Sequence, residues 1–393
     1  MRRSQEGEMA RKGFKIFDTD THVGPYVNVL EPYMSARDKQ VLEEDWAEFK
    51  GKGARTDNTS YTRGARKYLR RLGEAEADTS KKGYMAGFIG AQKKKPSSLV
   101  DNDSSERIKD MDLEGADVNL TLPSGWFGTF IGHDDVELET GMLSAYHQWM
   151  EDYCSPYPDR IGGVILCTGR DVEFSVSEIK KWGKSVWAWG ILVYTPPKMP
   201  LDHPSLEPIW KAAADHDLSI TLHTFTVMPP YAPGGTDNWE NLFLQRSASH
   251  PWCGMRNVAC ILGSGLMDRY PDIRVGCLEA GHSWLPFWMA RIDEHARTIP
   301  SALPESLDKL PSEFVHSGRF FQSIEIPEGE KLTNMIIDFL GEDILMYASD
   351  YPHGESHFPE SVDMVMDWDM SDERRHKLLW ENACKFYARA PVN

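Results

Sequence analysis

The chain has 393 residues, of which 41% are hydrophobic and 26% are charged, and it carries a formal net charge of −17. A chain of this length can bury a large core, and its acidic balance argues against binding to nucleic acid or to an anionic membrane surface. No uninterrupted apolar run reaches about 18 residues, so the sequence predicts no membrane span.

The amino-terminal residues and the cysteines give an expectation about the cellular compartment. Residues 1–15 are polar and basic and contain no apolar stretch of the kind that a secretory signal needs. The six cysteines are scattered without Cys-x-x-Cys spacing, which favours buried thiols over a disulfide framework. We therefore expect a reduced, cytoplasmic protein.

Eight short apolar and β-branched runs alternate with segments of helical periodicity along the chain. The strands are predicted at residues 15–20, 117–122, 161–166, 187–194, 219–223, 274–279, 319–324 and 344–350. The helices are predicted at residues 105–114, 137–153, 172–182, 205–217, 254–270, 285–298, 331–340 and 372–388. Eight alternating strands and helices predict one (β/α)8 TIM barrel over residues 1–393.

Two long insertions interrupt this pattern, residues 24–103 after the first strand and residues 224–252 after the fifth. Both leave the carboxyl ends of strands, where barrel active sites form, so we expect both to cover the site. Residues 50–95 contain thirteen Lys or Arg and four acids, a local net charge of +9 against −26 elsewhere. This segment is predicted to be either a solvated loop or a basic lid for a phosphate-bearing substrate.

Side chains that commonly bind metals occur where four of the predicted strands end. The motifs are Asp20-Thr21-His22, Thr221-Leu222-His223, Glu279-Ala280-Gly281-His282 and Ser349-Asp350-Tyr351-Pro352-His353. Alternation along a strand places Asp20 and His22 on the same face. Each motif alone has an ordinary structural explanation, such as a turn, a buried histidine or a helix cap. Together they predict one metal site at the mouth of the barrel.

On these motifs the chain resembles the amidohydrolase superfamily over most of residues 14–390. It is most similar to the branch that includes the aminocarboxymuconate-semialdehyde and dihydroxybenzoate decarboxylases. The resemblance implies that a divalent metal ion is bound by four residues, Asp20, His22, His223 and Asp350.

The sixth strand departs from that branch, which usually presents a histidine there to act on metal-bound water. This chain has Glu279 at the position, and His282 follows three residues later. With Glu279, His282 and His353 added, the donors exceed what one tetrahedral ion uses. We therefore expect two divalent ions, and Fe or Mn suits this nitrogen and oxygen donor set, which has no thiolate, at least as well as Zn does.

This donor set resembles the TIM-barrel nonheme diiron monooxygenases of platensimycin-type diterpenoid biosynthesis. The resemblance implies an enzyme with two iron ions that uses dioxygen to hydroxylate a C–H bond of a small organic substrate, with Glu279, Asp350 and His282 as catalytic residues. Relatives in that group are expected to act on substrates linked to coenzyme A, such as a coenzyme A thioester, which fits the basic segment at residues 50–95. We also expect a homo-oligomer. The alternative is a metal-dependent hydrolase or decarboxylase in which Glu279 is the general base. A non-catalytic binding barrel is the third reading, and the complete ligand set disfavours it.

Overall fold

A computed structural model describes residues 13–25, 27–42, 90–97, 103–124, 131, 134–196, 198–227, 234 and 242–392. Within these residues eight parallel strands form one sheet in sequence order, which confirms the predicted (β/α)8 architecture. The strands are β1 Phe17–Val23, β2 Val118–Pro123, β3 Ile161–Thr168, β4 Ala188–Tyr194, β5 Ser219–Leu222, β6 Val275–Cys277, β7 Phe320–Ser323 and β8 Leu345–Met346. That residues 1–393 form a single domain stays a prediction.

Helices follow the strands as the periodicity predicts. The main ones are α1 Ser104–Glu114, α2 Val136–Cys154, α3 Val172–Trp182, α4 Glu207–Asp215, α5 His250–Gly263, α6 Leu285–Thr298, α7 Glu330–Leu340, α8 Ser361–Met366, α9 Asp372–His376 and α10 Asn382–Phe386. Shorter helical segments are Val27–Leu30, Glu31–Tyr33, Pro204–Leu206, Leu242–Leu244, Gln245–Ser249, Leu266–Arg269, Pro300–Ala302, Pro311–Val315, Ile326–Glu328 and Lys377–Glu381. None of the described helices is long and apolar enough to cross a membrane.

Local sequence signals determine where helix α1 begins and ends. The side chain of Asp103 accepts a hydrogen bond from the Ser105 backbone N–H and caps the first turn. The helix ends at Gly115, whose φ of 101° is the left-handed conformation that glycine adopts without steric cost. These two signals explain why the predicted and observed helices agree closely.

The strands are buried along their whole length, as expected for a parallel sheet covered by helices. Aromatic side chains fill the barrel at the amino end of β1, where the Phe17 ring lies 5.7 Å from the Trp189 ring and 6.1 Å from the Tyr387 ring. Gly162 makes room for Trp189, because a Cβ atom at this glycine would lie 2.1 Å from the indole. This packed end leaves the carboxyl ends of the strands to form the site.

The barrel closes along an irregular seam between β1 and β8. The sequence predicts a strand up to residue 350, but regular pairing with β7 ends at Met346. Beyond it the chain bonds to β1: the Thr19 N–H donates to the Tyr347 carbonyl oxygen at 3.1 Å, and the Asp350 N–H donates to the Asp20 carbonyl oxygen at 3.0 Å. The seam therefore joins the two segments that carry Asp20 and Asp350.

The described parts of the insertions lie close to the segment after β8. The Ala91 N–H donates to the Gly354 carbonyl oxygen at 2.8 Å, and the Gln92 side-chain amide donates to the His353 carbonyl oxygen at 2.8 Å. Most of the basic segment at residues 50–95 lies outside the described residues, so its predicted role as a lid for a coenzyme A thioester stays a prediction. In the second insertion helix α5 begins at His250, four residues earlier than the sequence predicts.

Candidate metal centre

Five buried oxygen and nitrogen atoms from four strands converge at the mouth of the barrel. None of them makes a well-oriented hydrogen bond among the described residues, although short contacts join them to one another and to His353. They are Oδ1 of Asp20, Nε2 of His22, Nε2 of His223, Oε2 of Glu279 and Oδ1 of Asp350. A buried polar atom without a partner costs free energy, so five such atoms at one place indicate a missing partner that they share.

The spacing of these atoms suits a divalent cation. His22 Nε2 lies 3.3 Å from Asp20 Oδ1, 3.3 Å from Glu279 Oε2 and 3.1 Å from Asp350 Oδ1. His223 Nε2 lies 2.9 Å from Glu279 Oε2 and 3.6 Å from Asp20 Oδ1. Two ligands placed about 2.1 Å from an octahedral ion at right angles are roughly 3.0 Å apart. The residues therefore fit one ion with oxygen and nitrogen ligands, and the cluster supports the prediction of a divalent metal.

Unusual backbone conformations direct the two carboxylates that follow β6 and β8. Glu279 has a φ of 47° and Asp350 has a φ of 61°, both in the left-handed region. This region is uncommon for residues other than glycine, and aspartate adopts it more readily than glutamate does. Strain of this kind persists where surrounding contacts hold the chain, and it occurs often at functional sites. Here the Glu279 N–H donates to Ser323 Oγ at 3.2 Å.

The hydrogen bond at the far side of the His223 ring leaves Nε2 free to bind a metal. His223 Nδ1 lies 2.9 Å from the Thr224 carbonyl oxygen, which can only accept, so Nδ1 carries the proton. The carbonyl oxygen of His223 accepts from Thr226 Oγ1 at 3.3 Å and from Asn257 Nδ2 at 3.4 Å. Such outer contacts typically orient a ligating histidine.

The pKa values of the side chains in the site also indicate that it favours positive charge. Burial alone would lower the pKa of His223, but the negative charges of Glu279 and Asp20 outweigh it and raise this pKa to about 10. Burial would likewise lower the pKa of His22, yet contacts with three carboxylates raise it well above its usual range. Burial would raise the pKa of Glu279, but the positive charge of His223 holds it well below its usual range. The carboxylates therefore hold protons on the imidazoles that a cation would displace.

His353 lies at the outer edge of the cluster. Its ring stacks on the ring of His22 at a centroid distance of 3.9 Å, and its Nδ1 lies 2.7 Å from Asp350 Oδ1. Two possible donor groups overlap here, one of Asp20, His22, His223 and Glu279 and the other of His22, Glu279, Asp350 and His353. Its side chain is 29% exposed, so it can exchange protons with solvent.

The structure does not bring His282 into either donor group. Its Nε2 lies 2.9 Å from Thr333 Oγ1, and that hydroxyl donates to the Gly329 carbonyl oxygen. Its Nδ1 lies 2.9 Å from Glu328 Oε2 and accepts from the Glu325 backbone N–H at 3.2 Å. Both nitrogens are thus engaged away from the cluster, so the metal-ligand and catalytic roles predicted for His282 do not fit. The ring instead anchors the segment that carries Glu279.

Two residues of the site were missed by the sequence analysis. His250 Nε2 lies 3.3 Å from Oε1 of Glu279, the oxygen that faces away from the donor cluster. Glu325 follows β7, where burial and the negative charges of Asp350 and Glu279 raise its pKa well above the usual range. No metal-binding motif marks either position, although Glu325 stands two residues beyond a strand end, where a barrel gathers functional side chains.

Residues 123–389 match the sequence profile of the family described as amidohydrolase. This match covers more than half of the chain and includes His223, Glu279 and Asp350 of the donor cluster. A comparison of the sequence with curated proteins finds no match.

Several solved structures share the fold at low sequence identity. The 5-carboxyvanillate decarboxylase from Sphingomonas paucimobilis has a TM-score of 0.69 and 17% identity, over 96% of this chain and 99% of that chain. The 5-carboxyvanillate decarboxylase from Novosphingobium aromaticivorans, with manganese and 4-hydroxy-3-methoxy-5-nitrobenzoic acid, has a TM-score of 0.66 and 20% identity, over 96% and 97%. A dihydroxybenzoic acid decarboxylase from a Polaromonas species, with manganese and 2-nitroresorcinol, has a TM-score of 0.63 and 16% identity, over 95% and 97%.

These findings correct the predicted chemistry. The prediction of a dinuclear iron monooxygenase is wrong, because the structural neighbours are decarboxylases, and two of those described above contain manganese. Similarity to the diiron group, iron as the metal and a second ion are likewise not supported. The two possible donor groups share His22 and Glu279, so they overlap and do not require two separate ions.

Proposed function

Because the chain belongs to the amidohydrolase family, we propose that it is a metal-dependent decarboxylase of a small, hydroxylated aromatic carboxylic acid. The proposal rests on the five buried donor atoms that converge at the mouth of the barrel. Glu325, which follows β7 at the same end of the barrel, adds a buried carboxyl group whose pKa is raised. The substrate class is taken from the decarboxylases that share the fold.

We propose a single divalent ion, manganese or a similar ion that accepts oxygen and nitrogen ligands, held by Asp20, His22, His223, Glu279 and Asp350. Once bound, the ion supplies positive charge that orients an anionic substrate and stabilises negative charge developing on it. These five side chains would hold the ion at the mouth of the barrel, on the face that the substrate would reach.

Glu325 is proposed as the proton donor. When the bond between the ring carbon and the carboxylate breaks, carbon dioxide leaves and the electron pair stays on the ring carbon. That carbon then needs a proton, and burial together with the negative charges of Asp350 and Glu279 raises the pKa of the Glu325 carboxyl group, which favours its protonated form. The carboxylate left on Glu325 recovers a proton from water, which balances the reaction as loss of carbon dioxide and gain of one proton.

Glu279 has a second role in this scheme through its other oxygen. Its Oε2 belongs to the donor cluster, while its Oε1 lies 3.3 Å from His250 Nε2. The imidazole of His250 is thus placed to fix the orientation of this carboxylate, as hydrogen-bonded partners of metal ligands commonly do. We therefore assign His250 a positioning role.

Hydrolysis is the second candidate, favoured by the pair formed by Asp350 and His353. Their contact of 2.7 Å places an imidazole with access to solvent beside a carboxylate of the cluster. A carboxylate–imidazole pair of this kind can accept a proton from water and pass it to solvent. An ester, amide or lactone would then be the substrate.

Decarboxylation in D₂O tests the proposal. Manganese-loaded protein would be incubated with a panel of hydroxybenzoic acids while released carbon dioxide and deuterium at the vacated ring carbon are measured. Both should appear together, and Glu325→Gln should lower the rate about a hundredfold or more while manganese still binds. Glu178→Gln is the matched control, because it removes a buried carboxylate that pairs with His147 outside the site. Cleavage of esters, amides or lactones without carbon dioxide release would establish the second candidate, and inactivity with both classes would overturn the proposal.

A further inference from the structure

The histidine ligands of the candidate metal centre are held in different ways. The ring of His223 is fixed through Nδ1, which donates to the Thr224 carbonyl oxygen. The ring of His22 has no such bond, because its buried Nδ1 has no hydrogen-bond partner among the described residues. A ligating imidazole normally uses its second nitrogen to set its orientation. The ring stacks on that of His353, so the position of His22 depends on this contact and on its backbone.

Two hydrogen bonds fix the backbone of His22 on both sides. Its N–H donates to the Tyr351 carbonyl oxygen across the seam, and its carbonyl oxygen accepts from Nη2 of Arg107 on helix α1. Arg107 is fully buried. Its guanidinium also donates from Nη1 to Thr21 Oγ1 at 3.2 Å and from Nε to the Tyr153 hydroxyl at 3.1 Å.

The same guanidinium contacts the other side of the seam. Its central carbon lies 5.1 Å from the centroid of the Tyr351 ring, a cation–π distance, and Tyr351 directly follows the cluster residue Asp350. One turn along α1 from Arg107, Asp110 accepts a hydrogen bond from the Tyr351 hydroxyl at 2.5 Å. Residues three apart lie on one face of a helix, so Arg107 and Asp110 reach the seam together.

From these contacts we infer that Arg107 and Asp110 brace the seam between β1 and β8 and thereby set the spacing of His22 and Asp350 for metal binding. His22 Nε2 and Asp350 Oδ1 lie 3.1 Å apart, yet they belong to segments that no regular strand ladder joins. Arg107 holds the first segment and Asp110 holds the second. Both are positioning residues, since neither contributes an atom to the donor cluster.

This inference rests on the metal site of the proposed function, and its consequence is measurable without substrate. If the brace sets the spacing of the ligands, weakening it lowers the affinity for the ion. Arg107→Lys keeps the charge but cannot reproduce the three directions in which the planar guanidinium donates. We expect Arg107→Lys to weaken Mn²⁺ binding roughly ten- to hundredfold, as losses of outer-shell contacts typically do.

The test titrates metal-free full-length protein with Mn²⁺ and records the dissociation constant, and the thermal unfolding temperature without metal is measured in parallel. Arg375→Lys is the matched control. Arg375 is also a buried arginine that donates to backbone carbonyl oxygens, those of Val365, Met366 and Trp368, and none of these bonds reaches a strand of the seam. This variant should lose stability and keep the wild-type affinity for Mn²⁺.

Tyr351→Phe provides a second variant in case Arg107→Lys does not fold. It removes only the hydroxyl that bonds to Asp110 and should weaken Mn²⁺ binding about fivefold, the equivalent of one hydrogen bond. If Arg107→Lys folds and binds Mn²⁺ with wild-type affinity, the inferred role of Arg107 and Asp110 is overturned and the proposed function is not. If Arg107→Lys does not fold, wild-type affinity in Tyr351→Phe has the same meaning. An equal loss of affinity in Arg375→Lys would also overturn this role. Failure of the wild-type protein to bind Mn²⁺ would overturn both the brace and the proposed function.

Discussion

His223 Nε2 lies 2.9 Å from Oε2 of Glu279, while the opposite nitrogen of the same ring donates to the Thr224 carbonyl oxygen. The Nε2 atom therefore faces the carboxylate. It presents a lone pair when the imidazole is neutral and an N–H group when the imidazole is charged. In the metal-free protein the negative charges around it favour the proton. A proton and a divalent cation thus compete for the same place between these two side chains.

The first prediction is that metal binding releases protons. At pH 7 the imidazole of His223, whose pKa is raised to about 10, is charged in the metal-free protein, and contacts with three carboxylates outweigh burial and raise the pKa of His22 as well. A metal ion binds only the neutral imidazoles, so affinity should increase as pH rises from 6 toward 10. Calorimetric Mn²⁺ titrations in buffers with different ionisation enthalpies would count the protons. Binding that is independent of pH would contradict this account of the site.

The second prediction concerns the stability of the metal-free protein. The pKa of His223 is higher in the folded chain than its ordinary value of about 6.5, so its stabilising contribution is complete below that value and is lost as pH rises toward 10. The pKa of Glu279 is lowered, so its contribution is lost on acidification. Denaturant unfolding without metal should show stability falling above neutral pH, and His223→Ala should flatten this alkaline decline. Stability that rises between pH 7 and pH 10 would be the opposite of the expected result.

The third prediction tests whether Glu279 binds the metal ion or acts only as a general base. If Oε2 binds the ion, Glu279→Gln should weaken Mn²⁺ binding by more than about a hundredfold, since even outer-shell partners of ligands are worth roughly ten- to hundredfold. Equilibrium dialysis followed by metal analysis measures the change. Glu328→Gln is the control, because Glu328 contacts His282 rather than the donor cluster. Full metal occupancy in Glu279→Gln would mean that Glu279 does not bind the ion and acts only in proton transfer.

The fourth prediction distinguishes the two histidines that the sequence analysis treated alike. His22→Ala should abolish Mn²⁺ binding at micromolar concentrations. His282→Ala should keep the binding stoichiometry but lower the free energy of unfolding by about 2–3 kcal/mol, because the buried partners of its ring lose their hydrogen bonds. Denaturant unfolding and Mn²⁺ titration of both variants would check this. Loss of metal in His282→Ala with unchanged stability would mean that His282 is a ligand after all.

Much of the barrel could be predicted from sequence because its signals are local. Alternation on β1 brings Asp20 and His22 to one face, and apolar runs mark the strand ends where His223 and Asp350 stand. The roles of Glu279 and His282 could not be separated in this way. Backbone turns with positive φ at Glu279 and Gly281 send the two side chains in different directions, and spacing alone does not reveal them.

The other missed residues depend on contacts between distant parts of the chain. His250 was assigned to a loop because the Pro- and Gly-rich residues before it hide the start of α5. The raised pKa of Glu325 arises from burial and from charges on Asp350 and Glu279, which lie far from it in sequence. Arg107 looks like an ordinary polar residue of an amphipathic helix until the seam that it contacts is known. Packing and electrostatic interactions between residues that are distant in sequence leave no local pattern from which they could be predicted.

The central claim is that Asp20, His22, His223, Glu279 and Asp350 bind one divalent ion. Anomalous diffraction from crystals grown with Mn²⁺ tests it most directly, because the ion is located without any assumption about the reaction. We predict a single anomalous peak within about 2.0–2.3 Å of one oxygen or nitrogen atom from each of the five residues. A barrel mouth without a peak, or a peak that these five side chains do not surround, would contradict the claim.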